Sequence, residues 1–463
     1  MASYPPVRLG SRFVSALERL TDGDGLPVAE LIPAVEIQQA GANFGTDSDT
    51  IFTPAVTLWA FLTQSLSYSK SCVAAVARVL VLRTALELPP CSANNGAYCK
   101  ARAKLPETLL ERLTYQVGDT VEDQAPDGWR WQRRRVLLAD GFETSMLDTP
   151  ENQAAYPQPT SQKPGLGFPM IRVVVLLSFA TASLVGAACG PCAGKKTAET
   201  ALLQQVVDRV RRGDVIVADR YYCSYWMVAL LQTRGADVVF RLHQRRHYDF
   251  RRGRRLGPSD HVVVWPKPPR LPWMDEATYA ALPDTLTLRE LRFRVEQPGC
   301  RSREIVVATT LVDGEVYPRE EIAELYHRRW HVELDIRSIK RTLQLHHIVC
   351  KTPAMVRRTL WVHFLAYNLV RRALAQAAQA HGRLPRQLSF AGGMQTLEAF
   401  RWLLLFCSPQ RRQEVRMIVL VALATHEVGD RPGRCEPRCV KRRPKKYSFM
   451  NKPRAKARAE LLN

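Results

Sequence analysis

The sequence is short of acid relative to base. Over 463 residues, 44 Asp and Glu stand against 66 Lys and Arg, a formal charge of +22. An imbalance of that size points to a polyanionic partner, most often nucleic acid. A soluble basic protein with no such partner has the same total, because the total says nothing of where the charges sit. Disulfide logic is absent too: the eleven cysteines are odd in number and share no repeated spacing. The opening MASYPPVRLG lacks the apolar core of a signal peptide. A reduced cytosolic compartment is therefore expected. No internal repeat is found. One uncharged run, 173–194, is long enough to imitate a membrane span. Ser178, Thr181, Ser183, Gly186, Gly190, Pro191 and Gly194 interrupt it, so two buried strands joined by a turn are expected instead.

What is present organises into segments. Hydrophobic residues make up 46% of the chain, enough for a sizeable core and two or three domains. Residues 1–125 read as a helical N-terminal domain, with TPAVTLWAFLTQ and SCVAAVARVLVLR at helical spacing. These helices fit a DNA-binding module and a plain helical cap equally well. Residues 126–425 read as an α/β domain. VLLAD (136–140) and VIVAD (215–219) are apolar strands that each end in an acid, and a helix is expected over 196–212. VVFRL (238–242) follows a further helix, so a parallel crossover in a mixed, buried sheet is implied. Residues 245–315 read as a largely β insertion, a long helix is expected over 318–345, and further helices run to about 425. The tail 426–463, with KRRPKK (441–446), is basic and reads as disordered.

Asp140 and Asp219 each close a buried strand, where an unpaired carboxylate is costly. Adjacent strands would bring both to one rim, and paired carboxylates with open positions suit a hard divalent cation such as Mg²⁺. Either Asp alone reads better as the start of a turn. The helix over 318–345 tips the balance. At about 100° per residue, with Tyr326 at zero, Arg329 falls near −60°, Glu333 near −20° and Lys340 near −40°. Leu325, Val332, Ile336, Ile339 and Leu343 form an apolar stripe beside that row. The stripe should pack on the sheet and leave Glu333 at the edge, able to join the aspartates, with cations that keep it ionised and face phosphate. An ordinary amphipathic helix with a solvated Arg329–Glu333 pair would look the same without the upstream acids.

Tyr326, Arg329, Glu333 and Lys340 spell Tyr-x2-Arg-x3-Glu-x6-Lys. With LADGFETSMLDTPEN and VIVADRYY around the two aspartates, the chain resembles bacterial insertion-sequence transposases of the insertion-sequence-four type, from about Phe52 to the basic tail. Phe142 stands where that family often has a small hydroxyl residue. The resemblance implies a ribonuclease-H-like catalytic core, a mixed sheet with flanking helices and a β insertion before the Glu helix. It implies catalysis by Asp140, Asp219 and Glu333 holding two Mg²⁺ ions, with Mn²⁺ able to substitute. Tyr326, Arg329 and Lys340 would bind DNA. The implied partners are double-stranded DNA, as terminal inverted repeats and target, and a second copy of the chain in the synaptic complex. The implied place is the cytoplasm, at the bacterial nucleoid. Cleavage would free a 3′-OH that attacks the opposite strand to form a hairpin, or target DNA to insert. A structure-specific nuclease of the same fold and an inactive transposase-derived regulator are the competing readings.

Other motifs carry less. CGPC (189–192) resembles a redox pair but ends a strand instead of opening a helix. GPCAGKKT has the wrong glycine spacing for a phosphate loop. Cys435 and Cys439 lack a second ligand pair for zinc, and His346 and His347 read as surface or DNA-facing residues. Trp265 and Trp273 are candidates for stacking on an unpaired base, against the commoner role of a tryptophan in a core.

Overall fold

The structure, a computed structural model, describes residues 51–85, 87–194, 197–270, 274–294, 304–429 and 449–462. Contacts divide the described chain into two compact units. The first joins 51–125, 180–185 and 337–428; the second joins 126–179, 186–336 and 449–462. The segment 337–428 thus groups with the N-terminal helices, not with the α/β residues that precede it.

The helical unit is built around Pro353–Ala380, a 28-residue helix capped by the Thr352 hydroxyl, which accepts from Met355 N. Its apolar side chains, Leu360, Phe364, Leu365 and Leu369 among them, are buried, and it packs on Glu107–Asp123. The grouping has a plain cause: two apolar helix faces distant in sequence cover each other. Asn368 ties in the short segment 180–185, accepting from Leu184 N at 2.7 Å and donating to Leu184 O at 2.8 Å and Thr114 O at 2.9 Å. His346, His347 and Lys340 all belong to this unit.

The second unit carries the sheet. Its strands are β1 (Val136–Met146), β2 (Met170–Ser178), β3 (Leu184–Pro191, whose first two residues group with the helical unit), β4 (Val215–Ala218), β5 (Asp237–Arg241), β6 (Arg254–Gly257), β7 (Asp260–Pro266), β8 (Thr285–Arg294) and β9 (Glu304–Thr309). The order across the sheet is β3-β2-β1-β4-β5-β9-β8-β7-β6. β1 runs antiparallel to β2 and parallel to β4, and β4 runs parallel to β5. The 3-2-1-4-5 order with these directions is a ribonuclease-H-like core. Residues 136–139 and 215–218 are all buried, as parallel strands covered on both faces require. The uncharged run of 173–194 is accounted for by β2 and β3, and no helix among the described residues is long and apolar enough to cross a membrane.

The segment expected as a β insertion extends this same sheet. β9 pairs with β5 antiparallel, Phe240 opposite Ala308, and so covers an edge that would otherwise be open. Two expected elements differ in detail. The helix expected over 196–212 is Glu199–Gln205 followed by a 3₁₀ turn, Val207–Arg209. The long helix expected over 318–345 is divided: Arg319–His327, a 3₁₀ turn Arg328–Trp330, His331–Arg337, then a π-helical turn Ser338–Thr342. In the tail, Arg454–Leu462 is a helix where disorder is expected; its Ala, Leu, Arg and Lys are strong helix formers with no Gly or Pro among them. KRRPKK lies outside the described residues.

Candidate active site

The site begins with two strand starts. Arg135 and Asp214 immediately precede β1 and β4, and their buried side chains pair through Nε (2.9 Å) and a terminal guanidinium nitrogen (2.7 Å). Arg211 N also donates to Asp214, at 2.7 Å. From that anchor the strands advance in parallel register, Val136 opposite Val215 and Ala139 opposite Ala218. The next residue on each is the acid. Asp140 and Asp219 therefore stand at the same level on neighbouring chains, where strands lie about 4.8 Å apart. Asp219 follows the end of β4 as expected, but Asp140 does not close its strand, because β1 stays paired with β2 and runs on to Met146. The register continues into β5, with Ala218 opposite Phe240, so Arg241 follows at the level of Asp219.

Each aspartate is held by backbone. Asp140 Oδ1 accepts from Gly141 N at 2.8 Å. Asp219 Oδ1 accepts from Tyr221 N at 2.7 Å, so Asp219 also opens a turn, the ordinary role of such a residue. Burial pushes the Asp140 carboxyl up to about 6, against the opposing pull of Arg329 and the Gly141 amide, with Asp219 and Glu199 adding to the rise.

Arg329 joins the strand acids to the helix. One terminal nitrogen lies 3.5 Å from Asp140 Oδ2, the other 3.1 Å from Glu333 Oε1. The 3₁₀ turn that contains Arg329 leaves this i,i+4 pairing intact. Burial works against the guanidinium's charge, but Tyr326, Asp140, Glu333 and Asp219 outweigh it and raise its affinity for the proton above the ordinary value. Tyr326 is buried, edge-on to Phe293 at 6.2 Å between ring centroids, and burial pushes its hydroxyl up to about 12. Asp140, Asp219, Tyr326, Arg329 and Glu333 thus belong to one unit. Lys340 sits in the π-helical turn assigned to the other.

The tryptophans fare differently. Trp265 is 3% exposed, its indole N–H donates to Glu290 at 2.9 Å, and the Arg246 guanidinium covers the ring at 3.5 Å. Its ring is part of the core and presents no face to a base, because the β7–β8 pair folds it under Arg246. Trp273 lies outside the described residues, as do Cys435 and Cys439. Cys189 and Cys192 are not joined in a disulfide, and burial pushes the Cys192 thiol up to about 12, the opposite of an activated thiolate.

Three features escape sequence reasoning. Arg241 interacts electrostatically with Tyr326, Arg329 and Asp219. Glu199 begins the helix Glu199–Gln205, and its Oε2 accepts from the Tyr222 hydroxyl at 3.0 Å. Burial raises its carboxyl, Tyr222 opposing and Asp219 adding to the rise. Beyond the turn at Asp219 opens a cavity of about 740 Å³ lined by Tyr221, Trp226, His243, Arg245, Arg246 and His247 among others. Cationic and aromatic groups of this kind suit a nucleic-acid strand.

Against known proteins, residues 131–369 match the family described as "Transposase DDE domain". The chain is 27% identical over 355 residues to the transposase InsG for insertion sequence element IS4 of Escherichia coli (strain K12), covering 76% of this chain and 77% of that one. Among solved structures it is similar to a piggyBac transposase synaptic complex with hairpin DNA, at 10% identity and a TM-score of 0.42, covering 91% of this chain and 86% of that one.

Proposed function

The chain belongs to the family of transposases that carry a DDE domain, and on that premise we propose that it binds the terminal inverted repeats of an insertion sequence, cuts the DNA at the ends and joins the freed 3′-OH to target DNA. The observation that carries the reading is the parallel register of β1 and β4, which brings an acid on each to one level, Asp140 within β1 and Asp219 just past the end of β4. The Arg329 bridge between Asp140 and Glu333 supports it, and so does the charge of +22.

The donor chemistry fits hard divalent cations, since the acids offer carboxylate oxygens only. Among the described residues no three metal-binding side chains already close into a cage. The Arg329 guanidinium instead lies between Asp140 and Glu333, so two acids converge on one cationic group. Asp140, Asp219 and Glu333 would hold two Mg²⁺ ions, with Mn²⁺ able to substitute. Such ions, when bound, supply Lewis acidity at the scissile phosphate and lower the pKa of water.

The chain's own cations have a separate task. Arg329 would exchange its carboxylate partners for a phosphate, which its planar fork suits, and Lys340 would act as a point charge. Tyr326 would orient the same phosphate through its hydroxyl. Hydrolysis frees a 3′-OH; its attack on the opposite strand gives a hairpin, and attack on target DNA gives insertion. Bringing two ends together calls for a homodimer, working on double-stranded DNA at the nucleoid in the cytoplasm.

The test is direct. The purified chain, given duplex DNA from the ends of its own element and Mg²⁺, should cut at the element boundary and stop when the metal is chelated. Failure to cut with either Mg²⁺ or Mn²⁺, while the DNA is bound, contradicts the reading.

A further inference from the structure

Glu199 lies outside the three-acid set, yet its surroundings tie it to both strand acids. β1 continues past Asp140 with Gly141, and a Cβ placed at Gly141 would lie 2.5, 2.6 and 2.8 Å from Cδ, Oε1 and Oε2 of Glu199. A carboxylate pressed that closely on the strand is possible only because residue 141 has no side chain. The opposite side of the carboxylate is fixed from the other acid's segment. Tyr222, fully buried in the turn whose amide donates back to Asp219 O at 3.3 Å, donates its hydroxyl to Glu199 Oε2 at 3.0 Å. Glu199 is therefore clasped between the residue after Asp140 and the turn after Asp219. Among the described residues its only hydrogen-bond partner is neutral, and it forms no ion pair.

By contrast, Glu143, two residues further along β1, is matched by Arg172 at 2.6 Å. Charge balance thus separates the two glutamates. Glu143 has its cation in direct contact, while Glu199 feels Arg172 only from beyond ion-pair distance and, among the described residues, brings a carboxylate with no direct ion pair to the residue after Asp140. Arg329 already bridges Asp140 and Glu333, and Arg241 acts on Asp219.

We infer that Glu199 is a fourth carboxylate of the acidic rim, adding its charge to the divalent-cation site of Asp140, Asp219 and Glu333, an inference that rests on the reading of that site given above. Gly141 is its enabling residue and Tyr222 its positioning residue. Tyr222 donates only to one oxygen and so leaves the other, Oε1, available to a cation.

The experiment is a Mn²⁺ titration of the full chain without DNA, following free Mn²⁺ by electron paramagnetic resonance, with thermal melts of each variant to confirm folding. Glu199→Gln is nearly isosteric and can still accept from Tyr222, so a merely structural glutamate would tolerate it. The inference expects it to weaken Mn²⁺ binding about 10-fold or more while the apo melting temperature holds, the size of loss that removing a supporting group at a metal site brings. Gly141→Ala, which pushes the carboxylate off the strand without removing it, should weaken binding in the same direction. Asp140→Asn serves as the reference. Weak binding by Asp140→Asn together with wild-type titration by Glu199→Gln would overturn the role of Glu199 and leave the three-acid site standing. A wild-type chain with no saturable uptake, or an Asp140→Asn chain that titrates like wild type, would overturn the site itself and the inference with it.

Discussion

At Asp140, burial and neighbouring charge pull in opposite directions, and burial wins: the carboxyl titrates at about 6, above its ordinary value of 3.8. The sign for stability follows from linkage. Between those two values the folded chain holds a proton that the unfolded chain has released, so stability falls as pH rises through the window. The contribution is whole below about pH 4 and is lost above about pH 6. Asp140→Asn should therefore melt higher than wild type at pH 7.5 without metal, and the gap should close at about pH 4, where both side chains are neutral. Thermal melts across that range check it, and a gap that is constant with pH would refute the assignment. Arg329 invites a different test, because it carries no metal-binding group. Arg329→Ala should keep measurable nicking of an end-labelled duplex while losing most hairpin and joined product, since bending a second strand back to the 3′-OH leans on the phosphate clamp. Equal loss of all products on a denaturing gel, with DNA affinity unchanged, would place Arg329 in the chemical step.

The elements that carry the acids depend on how their strands begin. The Arg135–Asp214 pair locks β1 to β4 one residue before each strand starts, five residues ahead of the acid on both. Removing one partner strands a buried charge, so Asp214→Ala should cost about 3–5 kcal/mol in urea denaturation. A loss no larger than that of an exposed ion pair would show that the register is set elsewhere. Much of this was legible beforehand. VLLAD and VIVAD announce themselves as apolar runs ending in acids, and Arg329 and Glu333 pair as helical spacing demands. Glu199 was not legible, because an acid opening a helix is ordinary there, favoured by the helix dipole. The only hint was the glycine that follows Asp140. The divided helix was hidden as well, since Arg328–Trp330 and Ser338–Thr342 contain no Gly or Pro to mark a change of pitch. Trp265 failed as a surface candidate because composition cannot tell that Glu290 and Arg246 enclose it.

On the scale of the whole molecule, the charge of +22 and the grouping of 337–428 with the N-terminal helices matter most. The grouping was invisible in the sequence because it depends on a long apolar helix finding a partner more than two hundred residues away, Pro353–Ala380 against Glu107–Asp123. The charge makes a thermodynamic prediction. If many phosphates are neutralised on binding, affinity for end DNA should fall on the order of 10³-fold or more between about 50 and 200 mM salt, through counterion release. An affinity flat over that range would remove nucleic acid as the main partner. The central claim is that three acids from two strands and one helix form a single phosphodiester-cutting centre distinct from the surfaces that hold DNA. Asp140→Ala, Asp219→Ala and Glu333→Ala should each abolish Mg²⁺-dependent cleavage of end DNA yet bind that DNA with wild-type affinity. Cleavage at the wild-type rate by any one of the three would contradict it.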